Sequence, residues 1–178
     1  MTDQEKEMMQ AVRQGKEKGY DYFLSRYAQD VSRFLVQTVG NELDAEELAQ
    51  DTFVKAFSHI GSYDPEQASF STWLRRIAWN TALNHLKRRR LPTVSLEDED
   101  AFLHKADEAE PERVELEQLD RAIGRLRPPE RSLIQLYYYD ELPLKEIAYI
   151  MDSNPLALAN RLKRIRKKLY KLIKEENK

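Results

Sequence analysis

The segment LKEIAYIMDSNPLALANRLKRIRKKL, residues 144–169, is the most informative stretch of this sequence. Two apolar stripes with helical spacing flank the turn at 153–155, where Asn154 is a candidate helix cap and Pro155 suits a first helical turn. The small residue Ala148 stands where two such helices would cross closely. The segment predicts a helix-turn-helix, although a helical hairpin of no special function gives a similar pattern.

The second helix of this predicted motif has a polar outer side. Its candidate contact residues are Asn160, Lys163, Arg164 and Lys167. Such a helix fits the major groove of DNA, which is about 12 Å wide. Its basic side chains would neutralise phosphates and make the affinity depend on salt.

Helical periodicity also dominates the first half of the chain, and strand alternation is scarce. We expect Asp3 to cap the first helix, and Asp44 with Glu47 to form a capping box at the third. Gly40 and Asn41 are suited to end the second helix, because both tolerate positive φ. The predicted helices span about residues 3–16, 20–39, 44–59 and 70–90. The fold class is therefore all-α.

Composition removes several classes of protein. The 178 residues contain no Cys and only 5 Gly. A disulfide scaffold, a Cys-ligated zinc site, a thiol nucleophile and a glycine-rich phosphate loop are thereby excluded. No apolar run approaches the roughly 18–20 residues that span a bilayer, and the polar start MTDQEKEMMQ is unlike a secretory signal. We expect a cytoplasmic protein without membrane insertion.

The formal net charge of −2 hides an uneven distribution. Residues 1–90 carry 13 basic and 13 acidic side chains, residues 91–117 carry 2 and 10, and residues 118–178 carry 14 and 8. This pattern predicts a helical domain over 1–91, an acidic solvated linker over 92–111 and a second helical domain over 112–178. Two modules that bind one polyanion would explain it, although charge runs are also common on solvated faces.

The fourth predicted helix, FSTWLRRIAWNTALNHLKRR at 70–89, combines aromatic and basic residues. Trp73 and Trp79 do not share one helical stripe, so we expect at least one of them near the surface. Aromatic rings beside arginines can stack unpaired bases and hold a nucleic-acid backbone. The alternative is that both tryptophans belong to the core.

Catalytic chemistry has little support in this sequence. His59, His85 and His104 are far apart, and none forms a metal pair at helical spacing. Glu46, Glu47 and Asp51 could ligate a metal, but no histidine or basic group accompanies them, which favours a capping or partner-binding role. We therefore expect no enzyme activity, no cofactor and no metal.

Three motifs in this order resemble a bacterial RNA polymerase sigma factor of the extracytoplasmic function (ECF) type, in the sigma-70 family. DAEELAQDTFVKAF at 44–57 is similar to the family's core-polymerase-binding helix. FSTWLRRIAWNTALNHLKRR at 70–89 is similar to its promoter-melting and −10-reading helix. LDRAIGRLRPPERSLIQLYYYDELPLKEIAYIMD at 119–152, with the basic helix after it, is similar to its −35-reading domain. The resemblance covers about residues 10–175.

The resemblance implies three sets of contact residues. Core polymerase would meet Glu47, Leu48, Gln50, Asp51 and Phe53. The −10 element, melted and with a base flipped into the 63–69 loop, would meet Tyr63, Ser69, Phe70, Trp73, Arg76, Trp79, Asn80 and Asn84. The −35 element would meet Asn154, Ala157, Ala159, Asn160, Lys163, Arg164 and Lys167. The implied partners are core RNA polymerase, promoter DNA and a separate anti-sigma factor.

The recognition helix departs from the pattern of the family it resembles. Family members commonly read Gly-Thr-Val-Lys-Ser-Arg-Leu, whereas residues 156–162 here read Leu-Ala-Leu-Ala-Asn-Arg-Leu. Ala157 and Ala159 cannot hydrogen-bond to bases, although a methyl group can touch thymine. We expect a non-standard −35 sequence or more readout of DNA shape.

Two other functions are open on the sequence alone. One is a stand-alone helix-turn-helix regulator with a helical sensor or dimerisation domain. The other is a carboxylate-metal nuclease that uses the acidic residues at 46, 47 and 51.

Overall fold

The computed structural model describes residues 2–89 and 116–176. Within these ranges the chain forms eight α-helices and no strand, as the all-α prediction requires. The helices are α1 (Asp3–Arg13), α2 (Glu17–Val39), α3 (Glu42–Ser58), α4 (Phe70–Arg89), α5 (Leu116–Gly124), α6 (Pro128–Ile134), α7 (Leu144–Met151) and α8 (Pro155–Glu176). The predicted acidic linker, 92–111, lies outside the described residues.

Two of the predicted helix caps are wrong. At α1 the cap is Thr2 rather than Asp3, because the Thr2 hydroxyl accepts from the Glu5 N–H while the Glu5 carboxylate accepts from the Thr2 N–H. At α3 the cap is Asn41, whose side-chain oxygen accepts from the Asp44 N–H at 3.0 Å. Asp44 therefore lies inside the first turn, and the expected Asp44–Glu47 capping box does not form.

Two glycines determine how closely α2 packs against α1 and where α2 ends. Gly40 ends the helix at φ 75°, as the sequence predicts. Gly19 allows α1 and α2 to touch, since a Cβ there would lie 2.6 Å from the Val12 nitrogen and 2.7 Å from the Met8 oxygen. The N-terminal domain is thus a four-helix unit in which α2 contacts α1, α3 and α4.

The C-terminal domain contains the predicted helix-turn-helix. Asp152, at φ 51°, turns the chain after α7, and the Asn154 side chain accepts from the Ala157 N–H to cap α8. Ala148 is buried at the crossing of the two helices. The apolar residues of α7 and α8 that fill the core are Ile147, Ile150, Met151, Leu158, Leu162, Ile165, Leu169 and Ile173.

A π-helical turn, Gln135–Tyr139, continues α6. The Asp140 N–H donates to the Gln135 oxygen five residues back, which shifts the register of the side chains. Leu133, Ile134 and Leu136 are buried, whereas Tyr137 and the two tyrosines that follow it are exposed.

The two domains touch along two helix pairs. α2 packs against α6, and α4 packs against α7. The first pair includes a buried contact of 2.9 Å between the hydroxyls of Thr38 and Ser132. Residues that are far apart in sequence therefore share one interface.

Candidate nucleic-acid and protein interfaces

The outer face of α3 carries two apolar side chains among carboxylates. Leu43 is 78% exposed and Val54 is 68% exposed. Glu47 and Gln50 lie between them at spacings of three and four residues, so the four side chains share one face. We call residues 43, 47, 50 and 54, with Glu46 and Asp51 beside them, the α3 face.

The structure divides the predicted polymerase-binding residues into two groups. Glu47, Gln50 and Asp51 are exposed, whereas Leu48 and Phe53 are buried in the core of the N-terminal domain. The exposed apolar residues are Leu43 and Val54, which the sequence analysis missed. Both residues lie among the polar residues of an amphipathic helix, outside its inward-facing apolar stripe. This position could have indicated from the sequence that they are exposed.

Among the described residues, no three acidic or histidine side chains are grouped closely enough to hold a metal ion. This includes Glu46, Glu47 and Asp51, the set considered above for a nuclease.

The loop 63–69 is held by its own hydrogen bonds. The Asp64 carboxylate accepts from the Glu66 N–H and from the Gln67 side chain, both at 2.9 Å. The Tyr63 hydroxyl donates to the Ala68 oxygen at 3.1 Å, and burial raises the pKa of Tyr63 to about 12. Ser69 closes the loop by accepting from the Thr72 N–H. The loop is preorganised to present one shape.

A cleft of about 660 Å³ lies between this loop and α1. Tyr63 and Pro65 form one wall, and Lys6 and Arg13 are the cations on the other. An open cleft with aromatic and basic walls has the chemistry to take a base and its phosphate.

Aromatic rings pack beneath the start of α4. The ring centroids of Tyr63, Phe70 and Trp73 lie 5.3–5.6 Å from one another. Trp73 is 8% exposed and Trp79 is 4% exposed, so the expectation that one of them lies near the surface is wrong. The reason is that α4 is covered on several sides, by α2, α3 and α7.

The polar residues of α4 differ in exposure. Asn80 and Asn84 are exposed, as are Lys87, Arg88 and Arg89 in the last turn. Arg76 is only partly exposed, because α7 lies against it. Arg89 forms an ion pair with Asp44 at the start of α3.

The recognition helix α8 presents a basic outer surface. Asn160, Lys163, Arg164 and Lys167 are exposed, while Ala157 and Ala159 are half-buried. The oxygen of the Asn154 side chain is used for the helix cap. Leu156 is 73% exposed in the first turn, which the sequence analysis did not anticipate as a contact residue.

These observations define a DNA-binding protein built from two helical domains, each with exposed basic side chains on one helix. The family model for sigma-70 region 2 matches residues 23–91, and the model for sigma-70 region 4 matches residues 116–169. The chain belongs to the sigma-70 family, as an ECF sigma factor. This confirms the resemblance on which the sequence analysis relied.

Three relatives illustrate the similarity. The ECF RNA polymerase sigma-E factor of Haemophilus influenzae is 34% identical over 179 residues, 93% of this chain and 92% of the relative. The RNA polymerase sigma-H factor of Pseudomonas aeruginosa is 28% identical and covers 96% of this chain and 94% of the relative. The Bacillus subtilis factor SigW is 29% identical, with 96% and 97% covered.

Two solved structures share the fold. CnrH, in complex with the cytosolic domain of CnrY, aligns with a TM-score of 0.66 at 19% identity, over 97% of this chain and 99% of CnrH. The sigma factor RpoE from Bartonella quintana, in complex with the anti-sigma factor NepR, aligns with a TM-score of 0.64 at 21% identity, over 88% and 98%.

None of the helices in the described ranges is long and apolar enough to cross a lipid bilayer.

Proposed function

We propose that this sigma factor binds core RNA polymerase through the α3 face and directs initiation at promoters that it reads with α4 and α8. Residues 1–91 act on polymerase and the −10 element, residues 112–178 act on the −35 element, and residues 92–111 connect them. The protein contributes binding energy and no catalytic chemistry, and it works on polymerase in the cytoplasm. The observation that carries the proposal is the separation of one apolar-acidic face and two basic helices along a single chain.

The α3 face has the composition of a protein-binding patch. Leu43 and Val54 supply apolar anchors, and the carboxylates at 46, 47 and 51 surround them. Such a patch suits a basic partner, because charge steers the encounter and buried apolar groups supply most of the affinity. Leu48 and Phe53 support this face from beneath, since they are part of the core.

The −10 element is read by the 63–69 loop and by the edge of α4. The loop offers a preformed shape and an adjacent cleft for one flipped base, whose extrusion costs a few kcal/mol. Asn80 and Asn84 can hydrogen-bond bases or backbone, and Arg76 supplies a cation. The buried rings of Tyr63, Phe70, Trp73 and Trp79 hold these elements in place.

The −35 element is read by the exposed face of α8. Lys163, Arg164 and Lys167 neutralise phosphates, and Asn160 faces the base edges. Ala157 and Ala159 contribute small apolar surfaces only, so hydrogen-bond readout at their positions is lost.

The experiment is transcription from a promoter library with core polymerase, followed by sequencing of the transcript starts. We expect association with core polymerase and a defined set of starts. The variant Leu43→Asp/Val54→Asp should weaken polymerase binding by about tenfold or more. Leu116→Asp is the matched control, because Leu116 is exposed on α5. DNA binding without any polymerase association would instead identify a stand-alone regulator.

A separate anti-sigma factor is a further proposed partner. The solved relatives CnrH and RpoE of Bartonella quintana were each determined in complex with another protein, named as an anti-sigma factor for RpoE. Purification of the tagged chain from cells should recover such a protein beside polymerase subunits. Recovery of polymerase subunits alone would contradict this part of the proposal.

A further inference from the structure

The first turn of α8 presents an apolar surface, whereas the rest of its outer side is basic. Residues 155–159 read PLALA and carry no polar side chain. Leu158 is buried in the domain core, but Leu156 is 73% exposed. A single exposed leucine is common on protein surfaces, so exposure alone assigns it no role. The position of Leu156 relative to the basic residues of α8 is the informative observation.

Leu156 lies on the same stripe of α8 as the proposed DNA contacts. Asn160, Lys163 and Lys167 follow it at steps of four, three and four residues, so the four side chains share one face. All four are exposed, and the buried residues of α8 occupy the opposite face. A surface that lies against DNA through Lys163 and Lys167 therefore extends to Leu156 at the start of the helix.

The backbone of this first turn is held by its cap. The Asn154 side-chain oxygen accepts from the Ala157 N–H at 2.8 Å, and the Asn154 backbone oxygen accepts from the Leu158 N–H at 3.1 Å. Leu156 is thus presented from a turn that is already helical. Little backbone ordering is needed when its side chain meets a partner, which favours binding.

The major groove of DNA offers one apolar group to such a surface. Guanine, adenine and cytosine display hydrogen-bonding groups there, and thymine adds a C5-methyl group. The side chains of Leu156, Ala157 and Ala159 can neither donate nor accept a hydrogen bond. Contact with a thymine methyl group is an interaction that they can make, and it removes apolar surface of both partners from water.

We infer that Leu156 is a specificity-determining residue, which selects a thymine in the −35 element by packing on its C5-methyl group. The inference rests on the proposed function, because it names the base that one end of the α8 surface reads. Asn160 lies about 6 Å further along the helix, which corresponds to about two base pairs of DNA. The thymine should therefore lie at one end of the −35 motif.

The first experiment identifies this thymine. The full chain is incubated with short duplex DNA that has a randomised centre, and the bound duplexes are recovered and sequenced. We expect the wild-type chain to enrich thymine at one end of the selected motif. Leu156→Ala should lose the enrichment at that position alone. Leu116→Ala, which shortens an exposed leucine of α5, is the matched control and should keep it.

The second experiment removes only the methyl group. The selected duplex is prepared with deoxyuridine in place of that thymidine, so the base keeps its hydrogen-bonding groups. Affinity measured by fluorescence anisotropy should fall about three- to fivefold for the wild-type chain, as expected for the loss of one buried methyl group. The affinities for the two duplexes should be nearly equal for Leu156→Ala. Leu156→Met should still prefer the thymine duplex, because methionine is apolar and of similar size.

A methylated cytosine tests the same contact on another base pair. 5-Methylcytosine carries a methyl group at C5 but displays a donor where thymine displays an acceptor. At the identified position, the wild-type chain should bind the 5-methylcytosine duplex more tightly than the cytosine duplex. Leu156→Ala should bind these two duplexes equally.

Two further measurements separate base reading from general effects. Leu156 carries no charge, so Leu156→Ala should leave the slope of log affinity against log salt unchanged, whereas Lys163→Ala should reduce it. Because Leu156 is exposed, Leu156→Ala should also leave the melting temperature nearly unchanged.

Three results would overturn the inference. The first is equal binding of the thymine and uracil duplexes by the wild-type chain. The second is the same preference for thymine in Leu156→Ala, which would assign the methyl contact to Ala157 or Ala159. The third is a loss of polymerase binding by Leu156→Ala with its base preference unchanged, which would identify a protein contact.

Failure of the proposed function gives a different result. In that case the wild-type chain and both leucine variants would enrich no base at any position of the randomised duplex.

Discussion

Arg131 is the side chain on which the contact between α2 and α6 depends most directly. It makes three hydrogen bonds of 3.0–3.1 Å, to the oxygens of Gln37, Thr38 and Leu126, and a longer one of 3.4 Å to Gly124. None of these four acceptors is a carboxylate, and burial lowers the pKa of Arg131. Within residues 2–89 and 116–176, the cation is therefore held by backbone carbonyls of both domains.

The variant Arg131→Met keeps the length of the side chain and removes its donors. A hydrogen bond to a charged group contributes about 1.5–3 kcal/mol, and the three short bonds share one cation whose burial has its own cost. We therefore expect a loss of about 2–4 kcal/mol in the free energy of unfolding, which for a chain of this size lowers the melting temperature by roughly 5–15 °C. Differential scanning calorimetry measures both the temperature and the number of transitions.

The matched control is Arg125→Met, because Arg125 is exposed near the end of α5. It should change the free energy of unfolding by less than about 0.5 kcal/mol. The Arg131 variant should also separate the melting of the two domains, since the coupling between them is weakened. Identical thermograms for the two variants would refute the reasoning, because the carbonyls of α2 would then be satisfied equally well by water.

Three further predictions test separate parts of the structure. Gly19→Ala should cost about 1–3 kcal/mol of stability by chemical denaturation, because its Cβ would meet the Val12 nitrogen at 2.6 Å; an unchanged midpoint would contradict the close packing of α1 and α2. Lys163→Ala should reduce the slope of log affinity against log salt for duplex DNA by about 0.9, and an unchanged slope would exclude a phosphate contact. Burial raises the pKa of Tyr63 from 10.0 to about 12, so the folded state retains the Tyr63 proton to a higher pH than the unfolded state. The free energy of unfolding should therefore fall as pH rises through that range. Tyr63→Phe should show a smaller fall, and an equal fall would contradict the shift.

Periodicity alone identified the helices, but it did not choose their caps. Thr2 and Asp3, or Asn41 and Asp44, are all residue types that cap helices. Which of two such residues caps a helix depends on which one has an extended backbone. At α3 that residue is Asn41, with φ −142° and ψ 125°. The π-helical turn at Gln135–Tyr139 is a second local feature that a repeat of 3.6 residues cannot reveal.

On the candidate surfaces, the exposure of the basic α8 residues was predicted from the sequence, whereas the orientation of the apolar α3 residues was not. The exposed basic residues of α8 lie where the apolar stripe of the same helix requires them. On α3 the apolar residues belong to two sets, since Leu48 and Phe53 point inward while Leu43 and Val54 point outward. A single sequence shows that all four are apolar, and only packing against neighbouring helices separates the sets.

The contacts between the domains could not be predicted from the sequence. Thr38 and Ser132 are 94 positions apart, and each is an ordinary polar residue in its own helix. Their hydroxyls pair because both are buried at one interface, where a hydroxyl without a hydrogen-bond partner would be costly.

The acidic and basic side chains of the C-terminal domain lie on different surfaces, which a count along the sequence does not show. Residues 118–178 carry 14 basic and 8 acidic side chains, which suggests a uniformly cationic module. In the structure, basic side chains cover the outer surface of α8, whereas Asp140, Glu146 and Asp152 face α4. If this arrangement persisted on a promoter, three carboxylates would lie beside a strand bound to α4, and like charges at such distances repel. The carboxylates that face α4 would thus oppose DNA at that helix, whereas the basic surface of α8 would attract it.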